Sequence, residues 1–138
     1  MNITGPALEA IRSHASEGFP LEICGMLLAV KGSRDVIETR RATNAAPEMR
    51  EVRYRIDHRE HRKIEDEADA RGMEIVGYYH SHPNHAAYAS RFDTEDAWPS
   101  AFYVIASCIE REVREVKVFQ KPGWDSEEMV EEPLQVTD

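Results

Sequence analysis

Leu8, Ile11 and Ala15 recur three and four positions apart near the start of the chain, the spacing of one helical face. Pro6 suits the first turn of that helix and Gly18 marks its exit. The period then shortens. About Glu22 to Val30 reads as a strand, Lys31-Gly32-Ser33 as a turn, and Asp35 to Arg40 as a second strand. Asn44 to Glu48 reads as loop, with a short strand near Val52 to Ile56. His58 to Ala70 returns to a helical period, with only Ile64 and Ala68 as its apolar stripe. Glu74 to His80 is a central strand, Ala101 to Ile109 is apolar enough for an inner one, and Val116 and Val118 alternate on its neighbour. Pro122-Gly123 turns the chain into an acidic stretch, Glu127 to Asp138. There is no internal repeat, low-complexity block or linker. The pattern predicts one domain over 1–122 and a C-terminal tail over 123–138, packed on the domain or frayed. Helix, strands, helix, strands is the order of an α/β (α+β) domain with a mixed sheet.

Composition narrows the function classes. At 138 residues the chain can bury one sizeable core, and 41% hydrophobic with 31% charged residues is ordinary for a globular protein. A net charge of −9 argues against nucleic-acid binding, which favours basic faces. No apolar stretch approaches a membrane span, and Met1-Asn2-Ile3-Thr4-Gly5-Pro6 lacks a basic region followed by an apolar core. Only Cys24 and Cys108 are present, which speaks against a disulfide framework and fits a reducing cytoplasm.

The chemistry concentrates in His80-Ser81-His82-Pro83 and Ser90-Arg91-Phe92-Asp93. Side chains alternate along a strand, so both imidazoles leave one face and Ser81 the other, with the histidines about 6–7 Å apart along the backbone. That is close enough to share a metal, and the loop to Asp93 is long enough to fold back with a third ligand. Two histidines, one carboxylate and an open position describe a catalytic zinc site, because structural sites close with four protein ligands. A competing reading makes Ser90 and Asp93 a helix-start cap, which the ten-residue spacing from His82 does not exclude. Glu22 stands out among the upstream acids, since an acid in an apolar strand is costly to bury without a partner or a task. Its ordinary alternative is a surface-facing side chain. Asp57-His58-Arg59-Glu60-His61 matches no metal motif and reads as solvated side chains opening a charged helix. His85 is a loop residue that can face substrate or simply solvent, His14 carries no signal, and Cys24 reads as a small buried thiol.

The spacing resembles the JAMM motif of the MPN-plus metallopeptidases: His-x-His, seven residues, Ser, two residues, Asp, with a Glu far upstream. His80, His82, Ser90 and Asp93 match every spaced position, and Glu22-Ile23-Cys24-Gly25 matches the family's Glu-x-Cys-Gly context. The similarity extends through Tyr54-Arg55-Ile56-Asp57 and Ala97-Trp98-Pro99-Ser100, over roughly residues 4 to 120. Ala89 stands where the family often has Pro, and Tyr78 where Trp is common. The resemblance implies the MPN fold, a curved mixed sheet flanked by helices. It also implies one zinc ion per chain on His80, His82 and Asp93, with Glu22 as general base toward a zinc-bound water and Ser90 as an oxyanion donor.

Short stand-alone prokaryotic members of the family are the most similar. They imply a peptidase acting after the C-terminal Gly-Gly of a ubiquitin-like or sulfur-carrier protein, with no nucleic acid and no membrane as partner. A deconjugase freeing a ubiquitin-like modifier from lysines is equally compatible, and a non-catalytic MPN scaffold is the alternative of another class. The oligomeric state stays open.

Overall fold

The computed structural model describes residues 1–138. Six strands form a mixed sheet in the order β3-β2-β4-β5-β6-β7: β2 (Cys24–Val30), β3 (Glu38–Ala42), β4 (Met73–Pro83), β5 (Phe102–Ile109), β6 (Glu112–Gln120) and β7 (Val130–Glu132). All neighbours are antiparallel except β4 and β5. Two terminal strands, β1 (Asn2–Thr4) and β8 (Gln135–Thr137), pair with each other in parallel. Helix α1 (Gly5–Gly18) is capped by Thr4, whose side chain accepts from the Ala7 N–H. Helix α2 (His58–Ala70) is capped by Asp57 through the Arg59 N–H, and α3 (Arg91–Asp96) follows Ser90. No helix is long and apolar enough to cross a membrane.

The period of two along each strand divides the core. Ile23, Leu27 and Ala29 of the β2 region, Tyr79 of β4, and Val104 and Ala106 of β5 pack with Ala7, Ile11 and Ala15 on the α1 side. Cys24, Met26 and Leu28 face the other way and meet Ile64 and Ala68 of α2, the two residues its thin stripe predicted. Under the loop before α3, Ile105 and Phe119 pack on Ala87. The result is a mixed sheet flanked by helices.

One glycine sets the spacing next to the histidines. A Cβ on Gly25 would lie 2.3 Å from the Tyr79 ring, whose hydroxyl bonds His14 Nδ1 at 2.8 Å. Gly25→Ala is therefore expected to cost about 1–3 kcal/mol by overpacking, measured by urea unfolding. An unchanged midpoint would mean that the ring moves freely.

Several predicted elements shift. The second strand is Glu38–Ala42, not Asp35 to Arg40, because Val36 instead bridges Ile3 in parallel. Residues 52–56 form no strand, and their backbone groups are served by loop bonds instead. The buried face of α1 runs Ala7, Ile11, His14 and Ala15, with Leu8 only partly covered. At the C-terminus, residues 130–132 pair with β6 and 135–137 with β1.

Candidate metal centre

β4 runs three residues beyond the predicted His80, because β5 pairs with it in register as far as Pro83. Both histidines therefore stay on a pleated strand and share the α2 face of the sheet. Cys24 pairs with His80 across β2 and β4. One step further out, the Ile23 N–H donates to Ser81 Oγ at 2.9 Å and the Ser81 N–H to the Ile23 carbonyl at 3.1 Å. That exchange brings Glu22 level with His82. Glu22 lies two residues before β2, in coil, rather than inside the strand that its apolar neighbours predicted. Its N–H donates to the Arg50 carbonyl at 2.8 Å.

Three donor groups converge on one point. His80 Nε2 and His82 Nε2 are 3.2 Å apart, and the two Asp93 carboxylate oxygens lie 3.1 Å and 3.0 Å from them respectively. All three residues are buried, and their ligand atoms lie within 4.8 Å of one another. His82 Nδ1 donates to the Ala86 carbonyl at 2.9 Å, which leaves Nε2 as the lone-pair atom. The His80 ring is stacked on Tyr54, with centroids 4.5 Å apart and 24° between planes, while its buried Nδ1 has no partner.

Asp93 reaches this point from the first turn of α3. The Ser90 N–H donates to Asp93 Oδ2 at 2.8 Å, and the Asp93 N–H donates to Ser90 Oγ at 3.1 Å, a reciprocal capping box. Cap and metal-type carboxylate are thus one residue, so the two competing readings both hold in geometry. Ser90 Oγ accepts within the box, which leaves its own proton to donate elsewhere. Lys121, buried and unremarkable in sequence, donates from Nζ to the Thr94 carbonyl at 2.9 Å and ties α3 to the end of β6.

Electrostatics marks the same point. Burial pushes the Asp93 carboxyl up, but the two imidazoles facing it and the Ser90 N–H hold it well below the usual carboxylate range. Burial pushes His82 down; Asp93, the Ala86 carbonyl and the Glu22 charge outweigh it and raise it above its ordinary value. Glu22 is pushed up to about 8, mainly by burial, and its Oε1 is buried with no hydrogen-bond partner.

This donor set fits zinc. Two imidazole nitrogens with lone pairs facing at 3.2 Å repel each other unless a positive charge sits between them. Ligand atoms on a tetrahedron with bonds of ~2.0–2.1 Å lie ~3.3–3.4 Å apart, close to the separations found here. Nitrogen, nitrogen and carboxylate with no fourth protein donor is the ligand type of catalytic zinc.

The remaining singled-out residues lie elsewhere or serve packing. Cys24 fills the α2 side of the core, its thiol pushed up to about 12 by burial. His85 is exposed, and only its main chain is used: the N–H donates to the His82 carbonyl and the carbonyl accepts from Ser107 Oγ. His14 is buried against Tyr79 and pushed down to about 4 by burial. The charged segment opening α2 departs from the fully solvated reading: Glu60 accepts from the Thr43 N–H, and His61 Nε2 pairs with the Tyr78 hydroxyl at 2.7 Å. Sequence reasoning missed Ser81 and Tyr54 as supports of the site. Their signal, a hydroxyl between two ligands and an aromatic in a polar loop, has meaning only once the partners are known.

Comparison with known proteins agrees with the geometry. Residues 4–120 match the family described as prokaryotic homologs of the JAB domain. A desampylase of Haloferax volcanii is 36% identical over 112 residues, covering 78% of this chain and 80% of the relative. A protein of Salinibacter ruber solved in solution is 33% identical with a TM-score of 0.76, over 100% of this chain and 92% of that one. A JAB1/MPN domain protein from Archaeoglobus fulgidus shares the fold at 17% identity, with a TM-score of 0.66 over 100% of both chains. The fold is therefore the JAB1/MPN fold, and the chain belongs to the prokaryotic JAB family, as a short JAMM/MPN member.

Proposed function

We propose that this protein is a zinc-dependent JAMM-type peptidase that hydrolyses the amide or isopeptide bond after the C-terminal Gly-Gly of a ubiquitin-like or sulfur-carrier protein. The observation that carries the reading is the convergence of His80, His82 and Asp93 beside the buried, unpaired carboxyl of Glu22. Intact donors weigh against a scaffold role. The likeness to a desampylase supports a hydrolase and favours a ubiquitin-like modifier as the body behind the tail.

His80, His82 and Asp93 hold one zinc ion, with the Ala86 carbonyl and the Ser90 N–H fixing the orientation of His82 and Asp93. When bound, zinc supplies a Lewis acid for the scissile carbonyl and makes water more acidic. Glu22 takes the proton of the attacking water and returns it to the leaving amine. Burial alone would keep Glu22 protonated at neutral pH, and a cation on its neighbours favours the carboxylate it needs as a base. Ser90 Oγ turns its proton toward the developing oxyanion. No acyl-enzyme forms. A second reading, release of the modifier from protein lysines, uses the same residues and is favoured by the desampylase likeness.

A Gly-Gly tail offers no side chains to grip, so it is held as an extended strand by main-chain bonds, and glycine allows close approach to the metal. The test uses a ubiquitin-like protein ending in Gly-Gly, joined to a short peptide either linearly or through a lysine, with products read by mass spectrometry. Cleavage after the last Gly is expected, abolished by Gly→Val at that position and affected less by the residue after the bond. Equal cleavage of the Val tail would refute the close approach that glycine allows. No cleavage of either substrate by zinc-loaded protein would refute the substrate class.

A further inference from the structure

Glu22 has an unusual support for a group that must be aimed. It lies outside β2, so no strand ladder fixes its backbone, and its buried Oε1 makes no hydrogen bond that would orient the carboxyl. Its direction is inherited from its main chain. The N–H is held by the Arg50 carbonyl, and the carbonyl accepts from Asn44 Nδ2 at 3.0 Å.

Asn44 uses every position of its carboxamide. Nδ2 donates to the carbonyls of Glu22 and Arg53, the latter at 2.9 Å. Oδ1 accepts from the N–H groups of Ala46 at 3.0 Å and Arg55 at 3.2 Å. Two donors and two acceptor sites are the full capacity of this side chain for such contacts. Two of the partners, Arg53 and Arg55, flank Tyr54, the residue stacked on His80. The loop between β3 and α2 pairs with no strand. Beside the Arg50 carbonyl, this amide joins the Glu22 segment to the segment that covers His80, and it alone holds the Glu22 carbonyl to Arg53 and Arg55.

We propose that Asn44 is a positioning residue, which aims the Glu22 carboxylate through the Glu22 carbonyl. The proposal rests on Glu22 acting as the base of the reaction described above. Displacement of a reacting group by about 1 Å can cost roughly 10²-fold in rate, so loss of this bond falls on kcat rather than on binding. Asn44→Ala removes all four bonds. Asn44→Asp keeps the oxygen that accepts from Ala46 and Arg55 and removes both donations, so two of the four bonds remain if the Ala variant fails to fold.

The test has two independent arms. In the first, amide hydrogen exchange is followed on the zinc-loaded full chain. Faster exchange at Glu22 in both variants, with Met26 and Leu28 of β2 unchanged, is expected; unchanged exchange at Glu22 overturns the proposal whatever the enzyme cleaves. In the second, steady-state cleavage of the Gly-Gly fusion is measured in a double-mutant cycle with Glu22→Gln. Asn44→Asp is expected to keep full zinc, hold KM within about twofold and lower kcat about 10–10²-fold. In the Glu22→Gln background the same change should cost less than about twofold, since an aiming device without a base has nothing to aim. Equal losses in both backgrounds, or loss of zinc, overturn it. If the parent protein cleaves nothing, the failure belongs to the functional reading, and the exchange arm still decides this one.

Discussion

His82→Ala is expected to remove zinc and hydrolysis together. His82 contributes one donor atom to the cluster, Nε2, which touches Asp93 Oδ2 and faces His80 Nε2, while its Nδ1 is anchored on Ala86. Alanine would leave one imidazole and one carboxylate, and two protein ligands rarely retain zinc. Loss of an orienting partner alone typically lowers metal affinity 10–100-fold, and loss of a ligand costs more. The fold should survive, since the β4–β5 pairing at this position is made by the main chain. Elemental analysis after dialysis, alongside cleavage of the Gly-Gly fusion, is the measurement. A variant with a normal zinc content would remove His82 from the ligand set.

Glu22→Gln separates the base from the ligands. Glutamine keeps the shape and cannot take a proton, so zinc should remain while cleavage falls by roughly 10²–10⁴-fold, the usual weight of general acid–base catalysis. Full activity would transfer the base to another acid. A second readout does not depend on substrate. In the metal-free protein Glu22 keeps its proton up to about 8, against an ordinary value of 4.5. Between those two values the unfolded chain has released a proton that the folded chain still holds. Stability contributed by this group is therefore greatest below the lower value and declines as pH rises toward the upper one. Glutamine has no such proton. The metal-free variant should thus lose less stability than the parent between pH 5 and 8, measured by thermal melting, and parallel curves would mean that the carboxyl is not held protonated.

Much of the site was legible because it is local. The i, i+2 spacing of His80 and His82 puts both rings on one face of any strand, and Ser90-x-x-Asp93 can close a capping box within one helical turn. The stripe of Ile64 and Ala68 located α2 for the same reason, since period and caps are written in neighbouring residues. Pairings between distant segments were not legible. The apolar run Cys24–Val30 drew Glu22 into the predicted strand, whereas Ile23 and Glu22 are held by Ser81, Arg50 and Asn44, from 22 to 58 positions away. The Val52–Ile56 stretch alternates like a strand, yet turn bonds to Met49 and Ala45 and the Asn44 carboxamide hold it as a loop. Residues 135–137 have too few apolar positions to announce a strand, and they form one because β1 offers a partner at the other end of the chain. The sequence by itself thus determined which residues form the candidate metal site, the common face of its histidines and the cap that carries Asp93. Only the tertiary structure decided where Glu22 stands and what holds it there, because hydrogen bonds between remote segments leave no period in the chain.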